Sequence, residues 1–517
     1  MSRAVTTDAR AESRRLFTVG TLVVCGLAGA LAALNVQLAW MLLLGVLAAA
    51  AAYVFVGALG LIVLAPVCCC FALLTRFDEE YGLFVTDELR LSLIYLLMLA
   101  SIVALLFCLP WRRTAEDPTA KSANGLLVVL IAFACTGLFA ILFHRLFDAR
   151  MPARSPLREL LAMGIVTLPI CYGVLIPKVG LTKRQTLMCI NAILALGTAT
   201  GLIMVVFAIL PGRVIGLLGW TQAAFGTLDL ARGRTPLGHP NTVGAVLVVL
   251  LPISIVLAFR SRDARLRFAY MFSVPCLFAG ILFTLSRSSV AVASVMTLIT
   301  CGYLLLHRKR RIWASLGVAV AVLAVGIGLA GFLFSRYDFG RLWSRGYHES
   351  TSVERRSASF RTAFAVWQDY PLLGMGPGAF YPRLTVDPYW APDGADNISS
   401  ILYYRGHITA PHPHNAYAML LAEWGVIGAG IYLIMLAIIG AALYTARGTP
   451  GTDPEDAGVI GALRLALAAL LLMAMGDSLL QADIRPNIVF WVLIGLGMRY
   501  VVLVRQSDAV TCRTKAS

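Results

Sequence analysis

From residue 16 to residue 75 the chain carries no Asp, Glu, Lys or Arg. A run that long has nowhere to hide in a water-soluble fold, where roughly a quarter of residues are charged. It fits a bilayer. There every backbone N–H and C=O must find its partner inside the segment, so the segment must be helical. At about 20 residues per crossing, the run holds two or three spans; we place them at 17–35, 38–56 and 58–75. The remaining chain agrees, with 59% hydrophobic residues, 14% charged and a mean hydropathy of +0.80. The sequence predicts an all-α polytopic membrane protein, in which length counts spans rather than soluble domains.

Further apolar runs follow near 89–110, 124–146, 157–176, 187–210, 241–259, twice within 266–306, and at 312–334, 415–445, 461–479 and 486–505. The expected total is fourteen spans, or twelve if the N-terminal runs merge. The basic stretches at 260–267 and 307–311 orient the chain with those turns inside, and the acidic patch at 76–88 falls outside. This alternation puts both termini inside. It divides the chain into a tail at 1–15, spans over 16–334 with a shorter outer loop at 211–240, a large helical outer loop at 335–414, three last spans over 415–505 and a tail at 506–517. Most of the basic residues behind the net charge of +16 sit in short inner turns, so the charge does not point to nucleic acid. Arg14-Arg15 precedes an apolar run too long for a cleavable leader, which reads as a first span. Ten of the eleven cysteines lie in apolar runs and the large loop has none, so neither a disulfide nor a thiolate metal framework is expected.

The large loop is where chemistry concentrates. It holds four of the seven histidines, eight arginines and no lysine. A guanidinium fork matches phosphate or carboxylate oxygens in a way an ammonium does not. The plainer alternative is that these arginines balance the loop's seven acids. The shorter loop carries Arg213, Arg232 and Arg234 against the single acid Asp229. These three either meet an anionic ligand or are simply tolerated outside. Arg287 lies in the Ser286–Ser289 break of a helix hairpin, an expensive place unless it faces water or a partner. After Arg355-Arg356 a helix is expected, ending at Pro371. Gly374-Met375-Gly376-Pro377-Gly378 lacks the Lys-Ser/Thr of a nucleotide loop and reads as a tight turn. Asn415 is placed to cap the next span. That would hold His414 at the membrane surface, either as a proton acceptor or as a capping or packing residue. Glu423, inside the span, needs a partner or a role. Asp387, Asp393, Asp396 and Asn397 lack the closing glutamate of a calcium loop, and His412-Pro413-His414 lacks a third ligand, so no metal or cofactor is expected.

Taken together, four features resemble the O-antigen ligase and O-antigen polymerase superfamily of membrane glycosyltransferases. They are Gly238-His239-Pro240-Asn241, Ser286-Arg287-Ser288, Arg356 followed by Pro371–Gly378, and His414-Asn415 followed by Glu423-Trp424-Gly425-Val426-Ile427-Gly428. The resemblance covers about residues 205–445. It implies a multi-pass protein of the bacterial inner membrane with its site facing the periplasm. The implied reaction moves an oligosaccharide from undecaprenyl diphosphate to an acceptor hydroxyl, on lipid A–core (ligase) or on a second lipid-linked glycan (polymerase), without a metal. The family's arginines correspond to Arg287 and Arg356, and its histidine to His414. Phe360 stands where the family often has tryptophan, and Arg361 is a nearby substitute for Arg356. Further candidates for diphosphate or glycan contact are Arg361, Arg213, Arg232, Arg234, His412, Asn415 and Glu423. The implied partners are the lipid-linked donor, the acceptor and membrane lipids.

Two other classes share some of these features. A transporter or flippase for a lipid-linked or anionic substrate also has many spans and outer arginines, but places charges or broken helices near the membrane centre. A cell-wall polymerase of the shape-and-division type uses a similar carrier but relies on a loop acid.

Overall fold

The computed structural model describes residues 57–70, 83–86, 89–91, 93–107, 118–147, 156–209, 222–225, 228–233, 240–284, 286–307, 350–380, 402–404, 407–409, 413–446, 453–476 and 484–516. Twelve helices are described: α1 (Ala58–Cys70), α2 (Leu93–Phe107), α3 (Pro118–Phe147), α4 (Pro156–Leu175), α5 (Lys183–Ile209), α6 (Pro240–Arg260), α7 (Ala264–Phe283), α8 (Arg287–His307), α9 (Ser350–Asp369), α10 (Ala416–Thr445), α11 (Pro454–Gly476) and α12 (Ile484–Ala516). Among the described residues, nine helices (α3 to α8 and α10 to α12) are long and apolar enough to cross a membrane. The protein is an all-α, polytopic membrane protein. The expected spans at 17–35, 38–56 and 312–334 lie outside the described residues.

Three short antiparallel hairpins are described: β1–β2 (Leu83–Thr86, Leu89–Leu91), β3–β4 (Gln222–Phe225, Leu228–Gly233) and β5–β6 (Leu402–Tyr404, His407–Thr409). Two expectations shift accordingly. Leu89–Leu91 pairs in a hairpin, so the described helix of that run begins at Leu93, and the large loop combines a helix with a hairpin.

α6 is the central pillar. Its apolar stretch from Asn241 to Phe259 is buried throughout, whereas α3 and α8 bury only a third of theirs. Close helix approach is achieved with small residues, as in many membrane bundles. A Cβ on Gly280 of α7 would lie 2.6 Å from the Gly201 Cα of α5.

One end of the bundle is tied by charge. Lys183 Nζ lies 2.6 Å from the Asp456 carboxylate, to which Tyr500 donates at 2.7 Å. Arg262 meets Asp453 at 2.7 Å, and Arg499 donates to the Leu181 carbonyl at 2.6 Å. Arg262 belongs to the basic turn at 260–267 expected inside. The hairpin of Arg287 and the start of α10 lie at the opposite end, beside the last turn of α11.

Candidate active site

The site end is built on a broken helix. α10 runs from Ala416 to Thr445 but is interrupted at Gly425, with φ 61° and ψ −171°. That backbone conformation is essentially restricted to glycine. A break inside a membrane helix frees polar backbone groups, each costly if left unmatched in apolar surroundings. Here the turn after α9 matches them. Met375 N–H donates to the Ala422 carbonyl at 2.8 Å and Gly376 N–H to the Glu423 carbonyl at 2.9 Å. In return Val426 N–H donates to the Pro371 carbonyl at 2.8 Å and Ile427 N–H to the Leu372 carbonyl at 3.2 Å. The two sequence motifs, Pro371–Gly378 and Glu423–Gly428, are therefore halves of one joint.

Only glycines let the two backbones meet so closely. A Cβ on Gly374 (φ +68°) would stand 2.3 Å from the Glu423 carbonyl carbon, and one on Gly425 at 2.3 Å from that of Leu372. Glu423 is 2% exposed, and its Oε1 accepts from Phe380 N–H at 3.2 Å. The carboxylate thus bonds the backbone at the far end of the same turn. Trp424 stacks on Phe133 of α3, with ring centroids 4.0 Å apart.

The joint fixes α9. As expected, that helix stops just before Pro371. Ala363 and Val366 cluster with Ala418 and Ala422 of α10 and with Met375, Ala379 and Phe380 of the turn. Because the end of α9 leads into the joint at Gly425, its start points toward the Asn415 end of α10. Arg356 lies seven residues before Ala363 on the same stripe, about 10 Å nearer that end. It is half-buried, whereas Arg361 is exposed and donates to Ser357 Oγ at 3.2 Å. Phe360 is exposed.

Asn415 caps α10. Its Oδ1 accepts from Ala418 N–H at 2.9 Å, while its Nδ2 donates to the Met475 carbonyl in the last turn of α11 at 3.0 Å. Both ends of this amide are thus engaged by the fold. The cap places His414 just ahead of the helix. Its φ of 49° makes it the one non-glycine residue with positive φ among the described residues. Such strain persists where surrounding structure holds it, often at functional sites.

Arg287 opens α8 and is exposed. Behind it Ser286 Oγ accepts from Ser289 Oγ at 2.9 Å, and Ser289 sits against Gly244 in the second turn of α6. Ser288 meets the end of α11, where a Cβ on Gly476 would lie 3.3 Å from its own Cβ. The chain neighbours of Arg287 and His414 therefore meet the same last turn of α11. The N-termini of α6, α8 and α10 open at this end, an arrangement that favours anions.

Residues 272–433 match the family model described as O-antigen ligase. This segment is similar to the O-antigen ligase family. It contains the Arg287 hairpin, Arg356, the glycine joint and His414. The resemblance drawn from the motifs implies a family of membrane glycosyltransferases acting on lipid-linked glycans. Gly238–Asn241 falls outside the O-antigen ligase segment, which is narrower than the 205–445 expected. No curated protein matches the chain.

Arg213, Arg234 and His412 lie outside the described residues, and Arg232 is described only as a β4 residue opposite Ala223. One residue at the joint escaped the sequence reading. His144 of α3 is 3% exposed and lies 2.7 Å, through Nε2, from the Gly374 carbonyl. Apart from its being a histidine in an apolar run, nothing in the sequence marks it.

Proposed function

We propose that this protein moves an oligosaccharide from undecaprenyl diphosphate to a hydroxyl of lipid A–core, at the periplasmic face of the bacterial inner membrane. The observation that carries the reading is that Ser288 and Asn415, the chain neighbours of Arg287 and His414 within the matched segment, meet the same last turn of α11. In the step we envisage, the acceptor oxygen bonds to the anomeric carbon. The bond from that carbon to the diphosphate oxygen breaks, and the electron pair leaves with the diphosphate. Arg287 and Arg356 bear the charge of the leaving group, aided by the nearby helix N-termini, so no metal is needed. His414 takes the acceptor proton. Arg213, Arg232 and Arg234 add phosphate contacts, with Arg361 and His412 at the rim. Asn415 and Glu423, whose polar groups bond the backbone, support the site rather than touch the sugar.

The break at Gly425 is the feature a transporter would share. In a transporter the broken backbone coordinates the cargo; here its groups are bonded to the 371–376 turn. A polymerase differs from the proposed ligase only in the acceptor.

The test uses purified protein in liposomes with an undecaprenyl-diphosphate oligosaccharide, with and without lipid A–core. We expect transfer only when lipid A–core is present. Alanine at Arg287, Arg356 or His414 should lower the rate by about 100-fold or more, the scale of lost charge stabilisation or base catalysis. A ladder from the donor alone identifies a polymerase. Wild-type rates in all three variants, at equal folded protein, would sink the site assignment. If no condition gives product but the protein carries the donor across the bilayer, transport is the function.

A further inference from the structure

The joint between the two glycine motifs is closed from outside the family segment. His144 comes from α3, more than a hundred residues before residue 272, and its ring lies edge-on to Tyr370 at 5.4 Å. A carbonyl can only accept, so the 2.7 Å contact with Gly374 requires a proton on Nε2. Gly374 is the residue whose backbone rests on Glu423, and the next two residues, Met375 and Gly376, donate to the broken strand of α10. His144 therefore holds the point at which the turn enters the break. A neighbouring ion pair, Arg145 Nε to Glu159 at 3.0 Å, ties this end of α3 to α4.

We infer that His144 is a positioning residue for glycan transfer: by locking the Gly374 turn into the break of α10, it sets α9, and with it Arg356, in register with His414. The inference rests on the proposed roles of Arg356 and His414. The physical chain has three links. The imidazole N–H fixes the turn, the turn fixes the end of α9 on the first half of α10, and a rigid helix carries that placement about 20 Å from Asp369 back to Arg356. Small errors in such placement weigh heavily on rate, because charge stabilisation depends on pre-set geometry. Binding of the diphosphate is less exposed to the same error, since Arg287 sits on α8, which the joint does not hold.

The experiment compares His144→Phe, which keeps a ring beside Tyr370 but has no N–H, with His144→Gln, which can present an amide N–H to the same carbonyl. Full-length protein in lipid nanodiscs is assayed by amide hydrogen exchange and by steady-state transfer. In His144→Phe, exchange across 371–380 and 422–428 should rise about tenfold, the effect of one lost buried hydrogen bond, while α8 stays as in wild type. The kcat should fall at least tenfold while the KM for the lipid-linked donor stays within about twofold. His144→Gln should recover most of both.

Unchanged exchange at both segments in His144→Phe overturns the lock, whether or not the protein transfers glycans. Raised exchange with unchanged kcat overturns the positioning role. A His144→Gln protein as impaired as His144→Phe shows that the N–H is not the cause. If wild type makes no product while exchange responds as expected, the lock stands and the transferase reading falls.

Discussion

Gly425 shows how much a single residue can decide here. Its backbone lies where L side chains pay about 1–3 kcal/mol, and the space beside it is filled by backbone. The atom a Cβ would meet, the Leu372 carbonyl carbon at 2.3 Å, cannot swing away as a side-chain tip can. Gly425→Ala should therefore lower the thermal midpoint clearly and loosen the 371–378 turn. Gly302 of α8 is the control, because nothing lies within 4 Å of its built Cβ. Gly302→Ala should change stability by no more than about 1 kcal/mol, in the stabilising direction if at all, since alanine suits a helix interior better than glycine. Equal midpoints for the two variants in thermal unfolding would show that the joint tolerates a side chain. His414 raises a related point. Its left-handed backbone directly precedes a capped helix, which fixes where the residue leaves the bundle.

At the level of elements, α10 is two helices with different duties. The part from Ala416 to Trp424 carries the cap and the contact with α9; the part after Gly425 packs as a span against α3 and α12 through Tyr432. The cap makes this testable. Asn415→Ala removes both the bond from Ala418 and the bond to Met475, and should destabilise the protein by about 1–2 kcal/mol. Asn415→Asp keeps an acceptor for Ala418 but has no amide N–H for Met475, so its thermal midpoint should fall between alanine and wild type. A midpoint for Asp as low as that for Ala would place the whole effect on the tie to α11. The described spans were legible because each is a long apolar run bounded by charge. So were the cap at Asn415 and the stop at Pro371, which follow from neighbouring residues. The joint was not. Its two glycine motifs lie about fifty residues apart, each reads alone as a turn or a span, and only their mutual hydrogen bonds reveal the break. His144 was hidden for the same reason, since its partner is a backbone carbonyl that leaves no mark on sequence.

Across the whole molecule, the two ends of the bundle are built differently. One is fastened by Asp456, which receives Tyr500 and Lys183, and by Arg499 on the carbonyls of Pro177 and Leu181. The other is held by backbone pairing, serines, a cap and the ion pair Arg145–Glu159, and leaves Arg287 exposed. Ties at one end hold the helices in register without occupying the other, which suits a site that must admit a lipid-linked chain and a bulky acceptor. Asp456→Ala separates the two functions. It leaves the Tyr500 hydroxyl without its carboxylate in a buried setting and should cost about 1–3 kcal/mol, moderated because Lys183 is partly exposed to solvent. The thermal midpoint should drop, while kcat and KM of the protein that remains folded at low temperature should match wild type. Tyr500→Phe should show a smaller drop, because it deletes one partner and leaves the ion pair. If Asp456→Ala instead lowered kcat at full folding, the charged end would be coupled to the site, and transfer would depend on motion along the length of the bundle rather than on geometry set at one end.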